Sequence, residues 1–173
     1  MKISLDAVKA LREKTSASIA DCRNALELAG GDERKALELL RARGAAIAER
    51  RQGRTATEGR VESYVHHDGR LAALVEVNCE TDFVARTTEF AQFCKDVAMH
   101  VAAMSPRYLR REEALSDGGL GAEELKAACL VEQPFVKDPS LTVGDLLQAL
   151  IAKTGENVVI RRFVRFAVGE STS

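Results

Sequence analysis

Apolar side chains in residues 2–44 recur three and four positions apart, which is the spacing of an amphipathic helix. Suitable N-cap residues precede three such runs, at Ser4, Ser18 and Asp32. Gly30-Gly31 and Gly44 end the second and third runs. The inward positions predicted are Leu5, Val8, Leu11, Ile19, Cys22, Ala25, Leu26, Ala29, Ala36, Leu37, Leu39 and Leu40. Residues 1–44 therefore form a three-helix bundle, a size that is marginal alone and favours a recognition module over an enzyme.

The pattern changes twice after the bundle. Residues 45–59 mix arginines with Ala, Gln, Gly and Thr, and we expect a helical start that frays into a linker. From Arg60, an alternating segment, Val61–His66, leads through a turn to the nearly continuous apolar run Leu71–Val77. This order predicts a β-hairpin whose second strand is covered on both faces.

The remainder of residues 60–168 alternates helical and extended patterns. Thr87 or Thr88 can cap a helix that ends at Ser105-Pro106 and carries Phe90, Phe93, Cys94, Val97, Ala98 and Val101 inward. Shorter helices are predicted at 111–115, 122–130 and 142–154, and a last strand at 158–168. The fold class is α+β, with about three antiparallel strands covered by helices on one face. We expect residues 169–173 to be a frayed tail.

Composition narrows the range of functions. The 173 residues carry 25 basic and 26 acidic side chains, which argues against wholesale binding to nucleic acid or membranes. No apolar run approaches the roughly 18 residues of a membrane span, and the first residues lack the apolar segment of a signal peptide. We expect a cytoplasmic protein.

Four scattered cysteines and three histidines are the thiol and imidazole side chains that could bind a metal. They lack the clustered spacing of a metal site, and each cysteine sits in an apolar pattern that is typical of buried reduced thiols. We expect no metal, no cofactor and no direct nucleotide binding, since no phosphate-binding glycine loop is present.

The segment Asn78–Arg86 allows two interpretations. In the structural one, Thr81 or Asp82 begins a helix and Phe83 packs into the core. In the functional one, a loop presents Phe83 and Asp82 to a partner, where an apolar wedge displaces packed side chains and a carboxylate competes for the polar contacts of a bound cation.

Two other functions have weaker support. A run of arginines from Arg41 to Arg60 could bind RNA, but no aromatic residue interleaves it and a solvated helix end explains it as well. Cys79 with His66 or His67, or Cys129, could serve an enzyme, although no base is convincingly placed beside either thiol.

The segment Glu76-Val-Asn-Cys-Glu-Thr-Asp-Phe-Val-Ala-Arg86 resembles the signature of the elongation factor Ts family along its full length. Leu11-Arg-Glu-Lys-Thr15 and Asp21-Cys-Arg-Asn-Ala-Leu26 are similar to the family's first signature, with Ser16 in place of the usual Gly and Arg23 in place of Lys. Later similar segments are Glu132-Gln-Pro-Phe135, Gly155-Glu-Asn157 and Arg161-Arg-Phe163. The resemblance covers nearly the whole chain.

The resemblance implies a guanine nucleotide exchange factor, not an enzyme of covalent chemistry, that binds elongation factor Tu in its GDP-bound and nucleotide-free forms. Asp82 and Phe83 would enter the partner's nucleotide domain near Mg²⁺, so that Mg²⁺ and GDP leave. Thr81 and Val84 would support this loop, and Arg86 would contact or orient it.

The resemblance also bears on the bundle and the oligomer. The bundle resembles a ubiquitin-associated-type fold and would dock on the same nucleotide domain. Val8, Leu11, Arg12 and Ile19 are its candidate contacts, with bundle core as the alternative for most of them. Longer members carry a second core subdomain and a coiled-coil insertion. This chain has residues for one core unit, so two copies could pair as a homodimer through the last strand and its flank.

Overall fold

The computed structural model describes residues 3–15, 17–116 and 121–170, so residues 171–173 of the expected tail lie outside the described part. The elements in chain order are α1 (Leu5–Thr15), α2 (Ile19–Leu28), α3 (Glu33–Arg51), β1 (Glu58–Val65), β2 (Leu71–Cys79), α4 (Asp82–Ala85), α5 (Thr88–Met104), α6 (Arg111–Ser116), α7 (Ala122–Ala128), a 3₁₀ turn (Leu130–Glu132), β3 (Pro134–Phe135), β4 (Asp138–Thr142), α8 (Val143–Thr154) and β5 (Val159–Ala167). The described residues form two compact units, one within Met1–Arg54 and Asp145–Asn157, the other within Thr55–Gly144 and Val158–Ser173.

The first unit has its core where the helical pattern predicts it. Ser18 and Asp32 cap α2 and α3 by accepting hydrogen bonds from the backbone N–H groups of Asp21 and Lys35. The buried core residues are Val8, Leu11, Cys22, Ala25, Leu26 and Ala36.

Three predicted inward positions are wrong, since Leu5, Ile19 and Leu39 are exposed. Leu5 and Ile19 are the first residues of α1 and α2, where a helix extends beyond the turns that pack on its neighbours. Leu39 is rotated about 100° around α3 from the half-buried Leu40. A bundle of three short helices has too little inner surface to cover all three side chains.

The expected end of the third helix at Gly44 is wrong, because the helix continues to Arg51 and includes the helical start expected after residue 44. The residues after Gly44 are strong helix formers, and Gly44 is buried within the helix. A Cβ at Gly44 would lie 3.6 Å from the Cβ of Gln148 in α8. Gly44 therefore permits the close approach of α8 instead of stopping α3. The ion pair Arg41 Nη2–Asp145 Oδ2, at 3.3 Å, joins the same two helices.

The second unit is built on an antiparallel three-stranded sheet of order β1-β2-β5. It also contains a separate two-stranded sheet, β3-β4. Alternate residues of β2 are buried, namely Ala73, Val75, Val77 and Cys79. The predicted inward residues of α5 are all buried, and α5 ends at Met104 with Ser105 as its C-cap. This arrangement confirms the α+β fold class and the helical cover on one face of the sheet.

The opposite face of the sheet corrects the expectation that β2 is covered on both sides. Leu74 is exposed there, and it pairs with Val164 of β5 and Ser63 of β1. The face also carries the ion pair Arg162 Nε–Glu76 Oε2 at 2.6 Å. Its exposed apolar side chains are Val61, Val65, Leu74, Val164 and Phe166, and we call this set the open sheet face.

Within the described residues, no helix is long and apolar enough to span a bilayer.

Candidate functional site

The segment that follows β2 is a single helical turn between two caps, and we call residues 81–87 the Thr81–Thr87 turn. The side chain of Thr81 accepts a hydrogen bond from the N–H of Val84, at 3.4 Å, and so caps α4. Thr87 in turn caps α5 by accepting from the N–H of Phe90, at 3.3 Å. The two threonine caps, six residues apart, therefore begin two separate helices, the short α4 and the long α5.

Further hydrogen bonds hold each end of the Thr81–Thr87 turn. At the first end, the carbonyl of Thr81 accepts from the N–H of Ala85, at 3.2 Å, and from the Sγ of Cys79, at 3.1 Å. At the second end, the carbonyl of Val84 accepts from both the hydroxyl and the N–H of Thr87, at 2.8 Å and 3.0 Å. A four-residue helix has no stability of its own, so these contacts decide its conformation.

Phe83 projects from this turn into solvent, with 79 % of its surface exposed. Successive helical residues are rotated by about 100°, so that Phe83 and the buried Ala85, two positions apart, point to opposite sides. The structural interpretation of Asn78–Arg86 is correct that a helix begins at Asp82, but the expected packing of Phe83 into the core is wrong. An exposed phenylalanine on a capped turn fits the functional interpretation.

Asp82 and Arg86 lie four residues apart on one side of the turn and form an ion pair, Nη2 to Oδ2, at 2.9 Å. Both side chains remain partly or largely exposed, so the pair orients the carboxylate and adds little to stability. The turn thus brings together all five predicted loop residues, which are Thr81, Asp82, Phe83, Val84 and Arg86.

The four candidate residues of the bundle divide into two kinds. Val8 and Leu11 are buried in the bundle core, as the alternative interpretation of these positions expects. Arg12 and Ile19 are exposed on α1 and α2. Only Arg12 and Ile19 are therefore accessible to a partner in this conformation.

Leu11→Ala should destabilise the first unit by about 2–5 kcal/mol, because it removes a fully buried side chain and leaves a cavity. Chemical denaturation followed by circular dichroism measures this loss. Leu5→Ala is the matched control on the same helix. Leu5 is 76 % exposed, so its truncation should change the free energy of unfolding by less than about 0.5 kcal/mol. Equal effects of the two substitutions would contradict the core assignment of Leu11.

The four cysteines are all buried, and none of them forms a disulfide. Burial raises the pKa of the Cys94 thiol to about 12 and also raises the pKa of Cys22 and Cys129. A raised pKa reduces the thiolate that a nucleophile requires. Cys79 lies at the end of β2, where its Sγ contacts the carbonyl of Thr81, and His66 contacts the hydroxyl of Tyr64 through Nδ1 at 3.0 Å. These contacts do not assemble the thiol–imidazole pair.

His100 is a buried structural residue. Its Nδ1 accepts from the N–H of Val136, at 3.2 Å, so its Nε2 carries the proton and donates to Oε1 of Gln133, at 2.9 Å. Burial, which disfavours the charged imidazolium, lowers the pKa of His100. Within residues 3–15, 17–116 and 121–170, no group of three or more His, Cys, Asp or Glu side chains is arranged to hold a metal ion.

The open sheet face is a surface that the sequence analysis located only in part, through β5. A usable signal was present in β1, where Val61 and Val65 alternate with Arg60, Glu62 and Tyr64. Apolar residues on both sides of β2, combined with apolar alternate positions in β1 and β5, indicate a second apolar face. Exposed apolar patches of this kind mark interaction surfaces.

A small helical bundle, an exposed aromatic on a capped turn and an open apolar sheet face are typical of a protein that acts by binding other proteins. The family model described as Elongation factor TS matches residues 5–118 and 113–170. The elongation factor Ts of Carboxydothermus hydrogenoformans is 48% identical over 195 residues, covering 97% of this chain and 90% of the relative. That of Caldanaerobacter subterraneus subsp. tengcongensis is 47% identical, covering 97% and 98%, and that of Fervidobacterium nodosum is 44% identical, covering 98% and 100%.

The chain belongs to the elongation factor Ts family. It is therefore a protein of translation elongation, and membership supports elongation factor Tu as its partner and nucleotide exchange as its role.

Proposed function

We propose that this chain releases GDP from elongation factor Tu by inserting the Thr81–Thr87 turn near the magnesium end of the partner's nucleotide site. The observation that carries this proposal is the exposure of Phe83 beside Asp82 on a turn that is capped at both ends. A preorganised apolar side chain enters a packed partner at a lower entropic cost than a mobile one.

Phe83 and Asp82 have different tasks in this mechanism. Phe83 acts as a wedge that separates helices of the partner's nucleotide domain, which loosens the Mg²⁺ environment and the phosphate-binding loop. Asp82 presents a carboxylate that competes for polar contacts of the cation. Arg86 orients that carboxylate through the ion pair, and Thr81 and Val84 support the turn.

The chain itself performs no covalent chemistry and binds no nucleotide in this mechanism. It binds both GDP-bound and nucleotide-free elongation factor Tu, and prefers the nucleotide-free form. By linkage, GDP must weaken binding of the factor by the same ratio by which the factor weakens binding of GDP. The reaction takes place in the cytoplasm, where translation elongation occurs.

The bundle supplies a second contact with the nucleotide domain. Its accessible candidates are Arg12 and Ile19. The guanidinium group of Arg12 can bind a carboxylate through two hydrogen bonds, and Ile19 is 59 % exposed. Val8 and Leu11 contribute indirectly, because they pack the helices that carry these two residues.

A homodimer through the open sheet face completes the proposal. Two identical faces can meet around a two-fold axis, so that each apolar row covers the other. The ion pair of Glu76 and Arg162 gives the face both charges, and a two-fold axis can match each charge with its opposite in the second copy. The charge balance and the exposed apolar side chains support the pairing of two copies through this face.

Stopped-flow fluorescence of labelled GDP on elongation factor Tu tests the exchange function. We expect the rate of GDP release to rise with the concentration of this protein and to level off when the partner is saturated. Release at the intrinsic rate, with this protein folded and the partner loaded, would refute the proposal.

A further inference from the structure

The hydroxyl of Thr87 makes two hydrogen bonds, one as a donor and one as an acceptor. It donates to the carbonyl of Val84, at 2.8 Å, and accepts from the N–H of Phe90, at 3.3 Å. The first bond belongs to the turn that carries Phe83, and the second belongs to the start of α5. One side-chain oxygen thus joins a four-residue helix to a seventeen-residue helix.

Of the two helices that Thr87 joins, the long helix α5 is the more rigid. Phe90, Phe93 and Cys94 of α5 are buried against the sheet, so the first turns of α5 have little freedom. The short helix has only Ala85 buried, and its other side chains are half-buried or exposed. A bond from the first turn of α5 to α4 therefore transmits the rigidity of the core to the turn.

We propose that Thr87 is a positioning residue for the exchange reaction, in that its hydroxyl fixes the direction in which Phe83 leaves the turn. This inference rests on the proposed function, because it assigns Thr87 a role in presenting the wedge. Thr87 does not touch the reacting groups and is not a catalytic residue. Its hydroxyl orders the turn in the free protein. Insertion into elongation factor Tu then costs less conformational entropy.

The two bonds of the hydroxyl can be separated by substitution. Thr87→Ser keeps a donor and an acceptor. Thr87→Asp keeps the acceptor that caps α5 and adds a charge that suits a helix N-terminus, but it removes the donor to Val84. Thr87→Ala removes both side-chain bonds, while the backbone N–H of residue 87 still donates to the carbonyl of Val84 in every variant. A role limited to capping α5 predicts that the aspartate variant behaves as the parent, whereas a positioning role predicts that it behaves as the alanine variant.

Exchange assays and a direct probe of the turn provide the test. With elongation factor Tu loaded with labelled GDP, we expect Thr87→Ala and Thr87→Asp to lower the rate constant for GDP release by about three- to tenfold, and Thr87→Ser by less than about twofold. The chain contains no tryptophan, so Phe83→Trp places a single indole on the turn, and excitation at the red edge of the indole band avoids the two tyrosines. Time-resolved anisotropy of this indole, without partner, should show larger nanosecond motion with Thr87→Ala and Thr87→Asp than with Thr87→Ser or Thr87.

The outcomes separate the two proposals. Parent-like exchange and anisotropy in Thr87→Asp would overturn the positioning role, and so would a serine variant as impaired as the alanine variant. If the parent itself fails to accelerate GDP release, the proposed function fails, while the anisotropy still tests whether Thr87 orders the turn. Thermal melts of each variant confirm that the α+β unit remains folded.

Discussion

Phe83→Ala should lower the rate constant for GDP release from elongation factor Tu by at least about tenfold and leave the fold of this protein intact. The fold should survive because the ring is largely exposed, so its removal opens no cavity in the free protein. The rate should fall because the ring is buried only when the turn enters its partner. Stopped-flow release of labelled GDP measures the effect, and circular dichroism monitors the fold.

The expected size follows from the area of one aromatic side chain. Complete burial of a phenylalanine side chain is worth roughly 1.5–3 kcal/mol, and about 1.4 kcal/mol corresponds to a factor of ten. One wedge therefore accounts for about one to two orders of magnitude in rate. Any larger acceleration by the parent protein must come from the rest of the interface, including Asp82 and the bundle.

Leu115→Ala provides the matched control for an exposed apolar side chain. Leu115 lies in α6, is 54 % exposed and belongs to neither candidate site. We expect this variant to release GDP at the parent's rate, whereas Phe83→Leu, which keeps part of the apolar surface, should give an intermediate rate. A folded Phe83→Ala protein with undiminished activity would refute the wedge.

Val164→Glu should convert a homodimer of this chain to monomers and weaken self-association by about a hundredfold or more. Val164 lies in β5 and pairs with Leu74 of the central strand β2 on the open sheet face. In an isologous dimer, the substitution places a carboxylate from each copy into the same apolar contact, where burial of an unpaired charge is strongly unfavourable. Sedimentation velocity over micromolar concentrations measures the change.

A control variant tests whether an added negative charge alone changes the self-association. Leu115→Glu adds the same charge to another exposed apolar position and should leave the association unchanged. Because Val164 is exposed in the free chain, neither variant should unfold the monomer. A parent protein that sediments as a monomer throughout the range would refute the homodimer, and an unaffected Val164→Glu dimer would exclude this face as its interface.

The α5 helix illustrates how much the local pattern predicts. Its cap, its six inward residues and its end at Ser105-Pro106 are all read from the sequence, because each follows from local spacing and from the backbone preferences of single residues. The α+β class and the hairpin of the first two strands follow in the same way. The long resemblance over Glu76–Arg86 adds the family, which the comparisons confirm.

The sequence thus determined the α+β class, most of the helices and the three main strands and, through its resemblance, the family and the five candidate residues of the turn. The tertiary structure decided which of their side chains remain in contact with water. Exposure of Phe83 depends on the burial of Ala85 on the opposite side of a short turn, and exposure of Leu74 depends on α5 packing against the other face of the sheet. Likewise, the reason for a glycine at position 44 lies in α8, about a hundred residues further along the chain, which packs closely at that position. A local pattern records the spacing of apolar residues, but their burial depends on elements that are distant in sequence.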